Sequence, residues 1–215
     1  MKIAILVFDD LTVLDAVGPF EVLARLPGAE ITLVGETAGV KRADPRSLGV
    51  VADRSITEVP SADILVVPGG KGEAAVRKRP HMLEWVRQIH QTTQWTTSVC
   101  TGALVLGAAG LLEGLPATTH WARLEQLREF GAEPRSGRFV AHGKIITAAG
   151  VSAGIDMALE LARRIAGDAV ANAIQVGIEY DPHPPFDGRV RHAPAAVTQL
   201  LTARYGERAI KAASL

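Results

Sequence analysis

Residues 95–110 read WTTSVCTGALVLGAAG. The first five residues are aromatic or β-branched apart from Ser98, which predicts a strand over Trp95–Val99. From Thr101 the composition turns to Ala, Leu and Gly, which predicts a helix over Thr101–Ala109. Cys100 stands at the joint. A nucleophile elbow needs this order: a tight turn lifts the side chain at the end of a strand, and the glycine after it lets two chains approach closely. The first N–H groups of the new helix then face the thiol and favour its thiolate. A depressed pKa and ready oxidation to a sulfenic or sulfinic acid are therefore expected. A free cysteine is also a common small core residue. The succession strand, Cys, Thr, Gly, helix favours the nucleophile.

Working outward, the same alternation recurs along the chain. The continuous apolar run at Lys2–Phe8 predicts a strand buried on both faces, Glu30–Val34 a second strand, and Asp63–Val67 the next buried one. Helical spacing appears at Val17–Leu26, with Pro19 in its first turn, and again at Pro80–Gln91, Ala122–Phe130 and Asp168–Tyr180. Ser152 is positioned as the N-cap of a helix running to about Ala166. Gly35–Val59 mixes Gly, Pro and charge with short apolar pairs and predicts a hairpin or an irregular excursion. Arg138–Val140 and Lys144–Thr147 predict a second hairpin around His142-Gly143. Residues 181–215 read as a Pro-rich arm followed by a closing helix over Ala195–Ala209. The expected architecture is a single α/β domain over 1–215, a flavodoxin-like sandwich of a mostly parallel sheet between helices. Sites in such folds lie outside the carboxyl ends of the strands.

Composition narrows the function. The 215 residues carry 23 Lys+Arg against 23 Asp+Glu, so the net charge is zero and nothing electrostatic favours nucleic acid or an anionic membrane. Apolar residues make up 47%, which excludes disorder. A single cysteine excludes an internal disulfide and any zinc site built on paired thiolates. The N-terminal apolar run stops at Asp9-Asp10 without a cleavage site, and no run reaches membrane-spanning length, so the cytoplasm is the expected location.

Thiol chemistry needs a partner that moves protons. Asp15, in LTVLDAVGPFEVLA, is an acid among apolar neighbours, either the cap of a helix starting at Gly18-Pro19 or a catalytic acid kept protonated by burial. Pro68-Gly69-Gly70 follows a buried strand, and a backbone N–H from this turn, paired with that of Thr101, is expected to stabilise developing negative charge. The Thr101 side chain either contacts substrate or caps its helix. Gly150, at the exit of the strand ending in TAAG, is expected to line the site. His120, in ATTHWA, is the best placed histidine, more often a structural group at such a position than a base. His81, His90, His142, His183 and His192 lack ligand spacing, and no metal is expected.

Together these motifs resemble the ThiJ/PfpI superfamily, and within it the isonitrile (isocyanide) hydratase branch. The likeness rests on LTVLDAVGPFEVLA, VVPGG, TSVCTGALVLGAAGLLEGLPATTHWA, TAAGVSAGIDMAL and IEYDPHPPF, from Lys2 to about Phe186. The resemblance implies a cofactor-independent homodimer. In it Cys100 attacks the terminal carbon of an isocyanide and Asp15 supplies or relays the proton. A thioimidate forms and water releases the formamide. Many superfamily members carry glutamate at the Asp15 position and histidine after the cysteine, so Asp15 and Thr101 disfavour protease-like and deglycase-like readings. Two alternatives stay open. One is another cysteine-dependent hydrolase or lyase. The other is a non-catalytic ligand-sensing domain like the amino-terminal half of AraC-type regulators. The neutral charge and the single helix expected after Phe186 fit that second alternative poorly.

Overall fold

The computed structural model describes residues 1–213. The chain forms β1 (Lys2–Leu6), α1 (Val13–Leu23), β2 (Glu30–Gly35), β3 (Gly39–Arg42), β4 (Gly49–Ala52), β5 (Arg54–Ser55), β6 (Ile64–Val67), α2 (Glu73–Val76), α3 (Pro80–Thr92), β7 (Trp95–Val99) and α4 (Gly102–Ala108). There follow β8 (Pro116–Ala117), a 3-10 helix at Trp121–Phe130, β9 (Glu133–Pro134), β10 (Phe139–His142), β11 (Ile145–Ala148), α5 (Ala153–Ala166), α6 (Asp168–Gly177), α7 (Ala195–Tyr205) and α8 (Glu207–Ala213).

The main sheet has the order β10-β11-β7-β6-β1-β2-β5, and only β10 runs antiparallel to its neighbour. Taking the five central parallel strands β2, β1, β6, β7 and β11 in turn, their ranks along the chain are 2-1-3-4-5, the flavodoxin-like arrangement the sequence predicts. The strand runs explain themselves. Ile64–Val67 is buried throughout, as is β1 after Lys2, because helices cover both faces. Strand β7 is an exception in composition, with Thr96, Thr97 and Ser98 all fully buried. The Thr97 hydroxyl donates to the Leu65 carbonyl at 3.0 Å, and Thr96 joins Thr93 and His90 at 2.8 Å each, whereas the Ser98 hydroxyl is buried with no hydrogen-bond partner among the described residues. Because the order reverses between β1 and β6, the loops leaving these strands open a crevice, and this is where the candidate residues converge.

Four details differ from the sequence expectation. Helix α1 begins at Val13, so Pro19 lies in its interior, where it removes only the bond to the Asp15 carbonyl. Asp15 thereby sits in the first turn of α1 and does not cap a helix starting at Gly18. The stretch before Gly131 is a 3-10 helix. Ser152 makes no capping bond, and its hydroxyl instead accepts from Arg138 Nη1 at 3.3 Å. Finally, the closing helix is broken at Gly206, whose left-handed backbone (φ 85°) separates α7 from α8. Among the described residues no helix is long and apolar enough to cross a membrane.

Close packing fixes α4 against β6. A Cβ added to Gly102 would lie 2.0 Å from the Val67 carbonyl oxygen, a backbone atom that cannot give way without moving the strand. Gly102→Ala is therefore expected to cost about 3 kcal/mol or more, in the range of severe overpacking. Urea unfolding checks this, and a change below about 1 kcal/mol would contradict the tight crossing.

Candidate active site

The elbow is strained. Cys100 holds φ at 56°, a left-handed conformation that a non-glycine residue adopts at a cost. What holds it there is a set of backbone anchors. The Cys100 N–H donates to the carbonyls of both Ala148 (3.1 Å) and Ala149 (3.0 Å), just past the end of β11. Its own carbonyl accepts the Thr119 hydroxyl at 2.7 Å. The side chain is thus presented at the carboxyl end of β7, yet it is only 5% exposed.

Asp15 faces it from the first turn of α1 and is completely buried. Its Oδ2 accepts the Gly69 N–H at 3.0 Å, while Oδ1 is buried with no hydrogen-bond partner among the described residues. Burial pushes the carboxyl up to about 7, against smaller lowering contributions from the Gly69 N–H and the Cys100 thiol. The thiol is itself pushed well above its ordinary range, first by burial and then by the adjacent Asp15 charge. The Thr101 N–H and hydroxyl act in the opposite sense and are outweighed. The expectation of a depressed thiol pKa is thereby overturned. A helix start does favour a thiolate, but here two donors compete with a dry site and a neighbouring anion. Burial thus favours the neutral forms of both groups, the thiol and the carboxyl beside it.

The glycine turn is also used differently. The Gly69 N–H is spent on Asp15, and the Gly70 N–H donates to Thr101 Oγ1 at 3.0 Å. Among the described residues the turn therefore offers no free donor to pair with Thr101: its two glycine amides hold the Asp15 and Thr101 side chains instead. The Gly69 carbonyl in turn accepts the Thr12 N–H at 2.9 Å and ties the turn to the start of α1. Thus Cys100, Asp15, Thr101 and Gly70 are brought together at the crevice.

Gly150 and His120 form a separate pair on the neighbouring wall. A Cβ at Gly150 would lie 2.4 Å from His120 Cδ2, so only glycine leaves room for the ring. His120 Nδ1 accepts the Ala122 N–H at 3.3 Å, which places the ring proton on Nε2. Burial, then the charge of Arg123, holds the imidazole below its usual pKa, so it is neutral. The groups that act on the thiol's ionisation are the Asp15 carboxyl, through its charge, and Thr101, through its N–H and hydroxyl. Sequence reasoning missed Thr119 and the Ala148–Ala149 carbonyls. Their role comes from the crossing of distant segments, and a threonine or an alanine carries no spacing signal for it.

Fold and site together define a class: a flavodoxin-like α/β protein with a strained cysteine elbow opposite a buried carboxyl. The chain belongs to the DJ-1/PfpI family, whose model matches residues 1–164. It is 40% identical over 198 residues to the isonitrile hydratase of Pseudomonas putida, an alignment covering 92% of this chain and 86% of that one. A crystal structure of a ThiJ/PfpI family protein from Pseudomonas syringae is 35% identical, with a TM-score of 0.91 over 100% of this chain and 90% of that chain. The HTH-type transcriptional regulator GbdR of Pseudomonas aeruginosa is 30% identical over 189 residues, which span 84% of this chain and 51% of the regulator. The superfamily resemblance expected from the motifs is thus borne out.

Proposed function

We propose that the protein is a cofactor-independent isonitrile hydratase that converts R–N≡C and water to R–NH–CHO through Cys100. The observation that carries this reading is the buried Asp15–Cys100 pair, a thiol and a carboxyl of raised pKa side by side at the sheet's switch point. The terminal carbon of an isocyanide accepts both a nucleophile and a proton on the same atom. Adjacent sulfur and carboxyl groups sharing a mobile proton suit such an addition. Asp15 takes the proton from Cys100 Sγ as the C–S bond forms and delivers it to the same carbon, leaving the thioimidate R–N=CH–S–Cys100. Water then adds to that carbon. Asp15 passes a proton from the water to nitrogen; the new hydroxyl then gives its proton, through Asp15, to sulfur as C=O forms and the C–S bond breaks, and the formamide leaves with the thiol restored. Thr101 steadies the sulfur from its N–H and hydroxyl, Gly70 fixes Thr101, and His120 with Gly150 borders the substituent R.

The 40% identity to a protein named isonitrile hydratase supports the same assignment. Homodimeric assembly, carried from the superfamily resemblance, and a cytoplasmic location, expected from the lengths of the apolar runs, complete the proposal. Incubating the purified protein with phenyl or cyclohexyl isocyanide and following product by NMR is expected to give the N-substituted formamide catalytically. Lack of formamide with several isocyanides, while the thiol remains titratable, contradicts the proposal.

A further inference from the structure

Three consecutive residues after β8 are pinned across the carboxyl ends of β11 and β7. The Thr118 N–H donates to Thr147 Oγ1 at 2.9 Å, Thr119 holds the Cys100 carbonyl, and His120 fills the space left by Gly150. The chain then places Trp121 beside His120, with ring centroids 5.2 Å apart. From the other end of the sequence, α7 brings Tyr205 onto both rings, 5.5 Å from His120 and 4.9 Å from Trp121 in an edge-on arrangement. The Arg204 guanidinium lies 5.6 Å from the Tyr205 centroid and helps to hold the ring. The cluster is not closed core: His120 and Trp121 are half-buried and Tyr205 is 38% exposed.

We infer that His120, Trp121 and Tyr205 form an aromatic wall that selects substrates with flat, π-bearing N-substituents. This rests on the hydratase reading above and names the substrate class for it. The His120 ring packs against Gly150, next in the chain to the Ala149 carbonyl that anchors the Cys100 N–H, and follows the Thr119 hydroxyl that holds the Cys100 carbonyl; on this proposal R projects along that wall. Aromatic faces and edges reward an aryl ring placed against them in offset or edge-on geometry, and a saturated ring of the same size gains less. The C-terminal segment thereby contributes a specificity residue, Tyr205, to a site otherwise built from residues up to Gly150.

Phenyl and cyclohexyl isocyanide match in carbon skeleton and differ in the π-system. In wild type the ratio of kcat/KM for phenyl over cyclohexyl is expected to exceed that of Tyr205→Leu by about two- to tenfold, the worth of one aromatic pair. Tyr205→Phe, which keeps the ring, is expected to restore the wild-type ratio. Trp121→Leu lowers the ratio in the same direction and carries the test if Tyr205→Leu does not fold. An unchanged ratio, or equal losses with both substrates, overturns the aromatic wall and leaves Tyr205 a packing residue. Failure of the wild type to turn over either isocyanide removes the hydratase reading itself, an outcome separate from an unchanged ratio in active variants.

Discussion

Formamide production is expected to fall to background in Cys100→Ala, a loss of at least about 10⁴-fold, the scale on which enzymes respond to removal of their nucleophile. The chain has a single cysteine, so no second thiol can replace it. Cys100→Ser is a sharper version of the same experiment. It keeps a donor beside Asp15, but a hydroxyl is far harder to ionise than a thiol and is a weaker nucleophile toward carbon, so activity stays near background. Misfolding can be separated from lost chemistry. The left-handed backbone at position 100 is a cost borne for the elbow, and alanine bears it equally, so Cys100→Ala is expected to melt within a few degrees of wild type. Cys100→Gly relieves the strain and is expected to raise stability by about 1 kcal/mol while remaining inactive. An inactive variant more stable than wild type shows that the strain serves the reaction and not the fold. Retained turnover in Cys100→Ala would place the chemistry elsewhere.

The sequence made the elbow legible because all its signals are local. The β-branched run of β7, the cysteine and the glycine that follows occupy eight consecutive residues, Trp95–Gly102, and each has a short-range physical reason. The alternation of buried runs with helical ones likewise gave the parallel sheet. The thiol's pKa departs from the sequence expectation for the complementary reason. The helix start is a neighbour in sequence, whereas the desolvation and the Asp15 carboxyl reach Cys100 only through the fold. Asp15 stood out as an acid among Leu14, Ala16 and Val17, but Pro19 suggested a later helix start and hid its place in the first turn of α1. The sequence shows the glycine amides as available donors, and only the packing shows that Asp15 and Thr101 take them. Tyr205 had no local signal. Its relevance depends on a C-terminal helix folding back across the chain onto Trp121.

Asp15→Asn gives the second large effect, and its pH dependence distinguishes catalysis from a structural role. Asparagine keeps an acceptor for the Gly69 N–H but cannot relay a proton, so the rate is expected to drop by about 10²- to 10⁴-fold. In wild type the reactive form has lost one proton from the Asp15–Cys100 pair, so activity rises through the Asp15 transition near pH 7. That ascending limb disappears in the variant. Stability moves in the opposite sense to activity. The folded carboxyl titrates at about 7 against an ordinary value of 3.8, so between those values the native state binds more protons than the unfolded one. Native stability from this group is therefore present at low pH and is lost as pH rises toward and through 7. Relative to wild type, Asp15→Asn should gain about 2–3 kcal/mol between about pH 5 and pH 8, read from paired urea titrations. Removing the charge also removes one of the causes that hold the thiol up, so Cys100 in the variant should alkylate faster with iodoacetamide at about pH 8. A carboxylate that merely capped α1 would give none of these three results together. Its loss would lower stability at neutral pH, leave the pH–rate profile in place and not change the thiol. The combination of slower turnover, greater stability at high pH and a more reactive cysteine belongs to a buried acid kept for its proton.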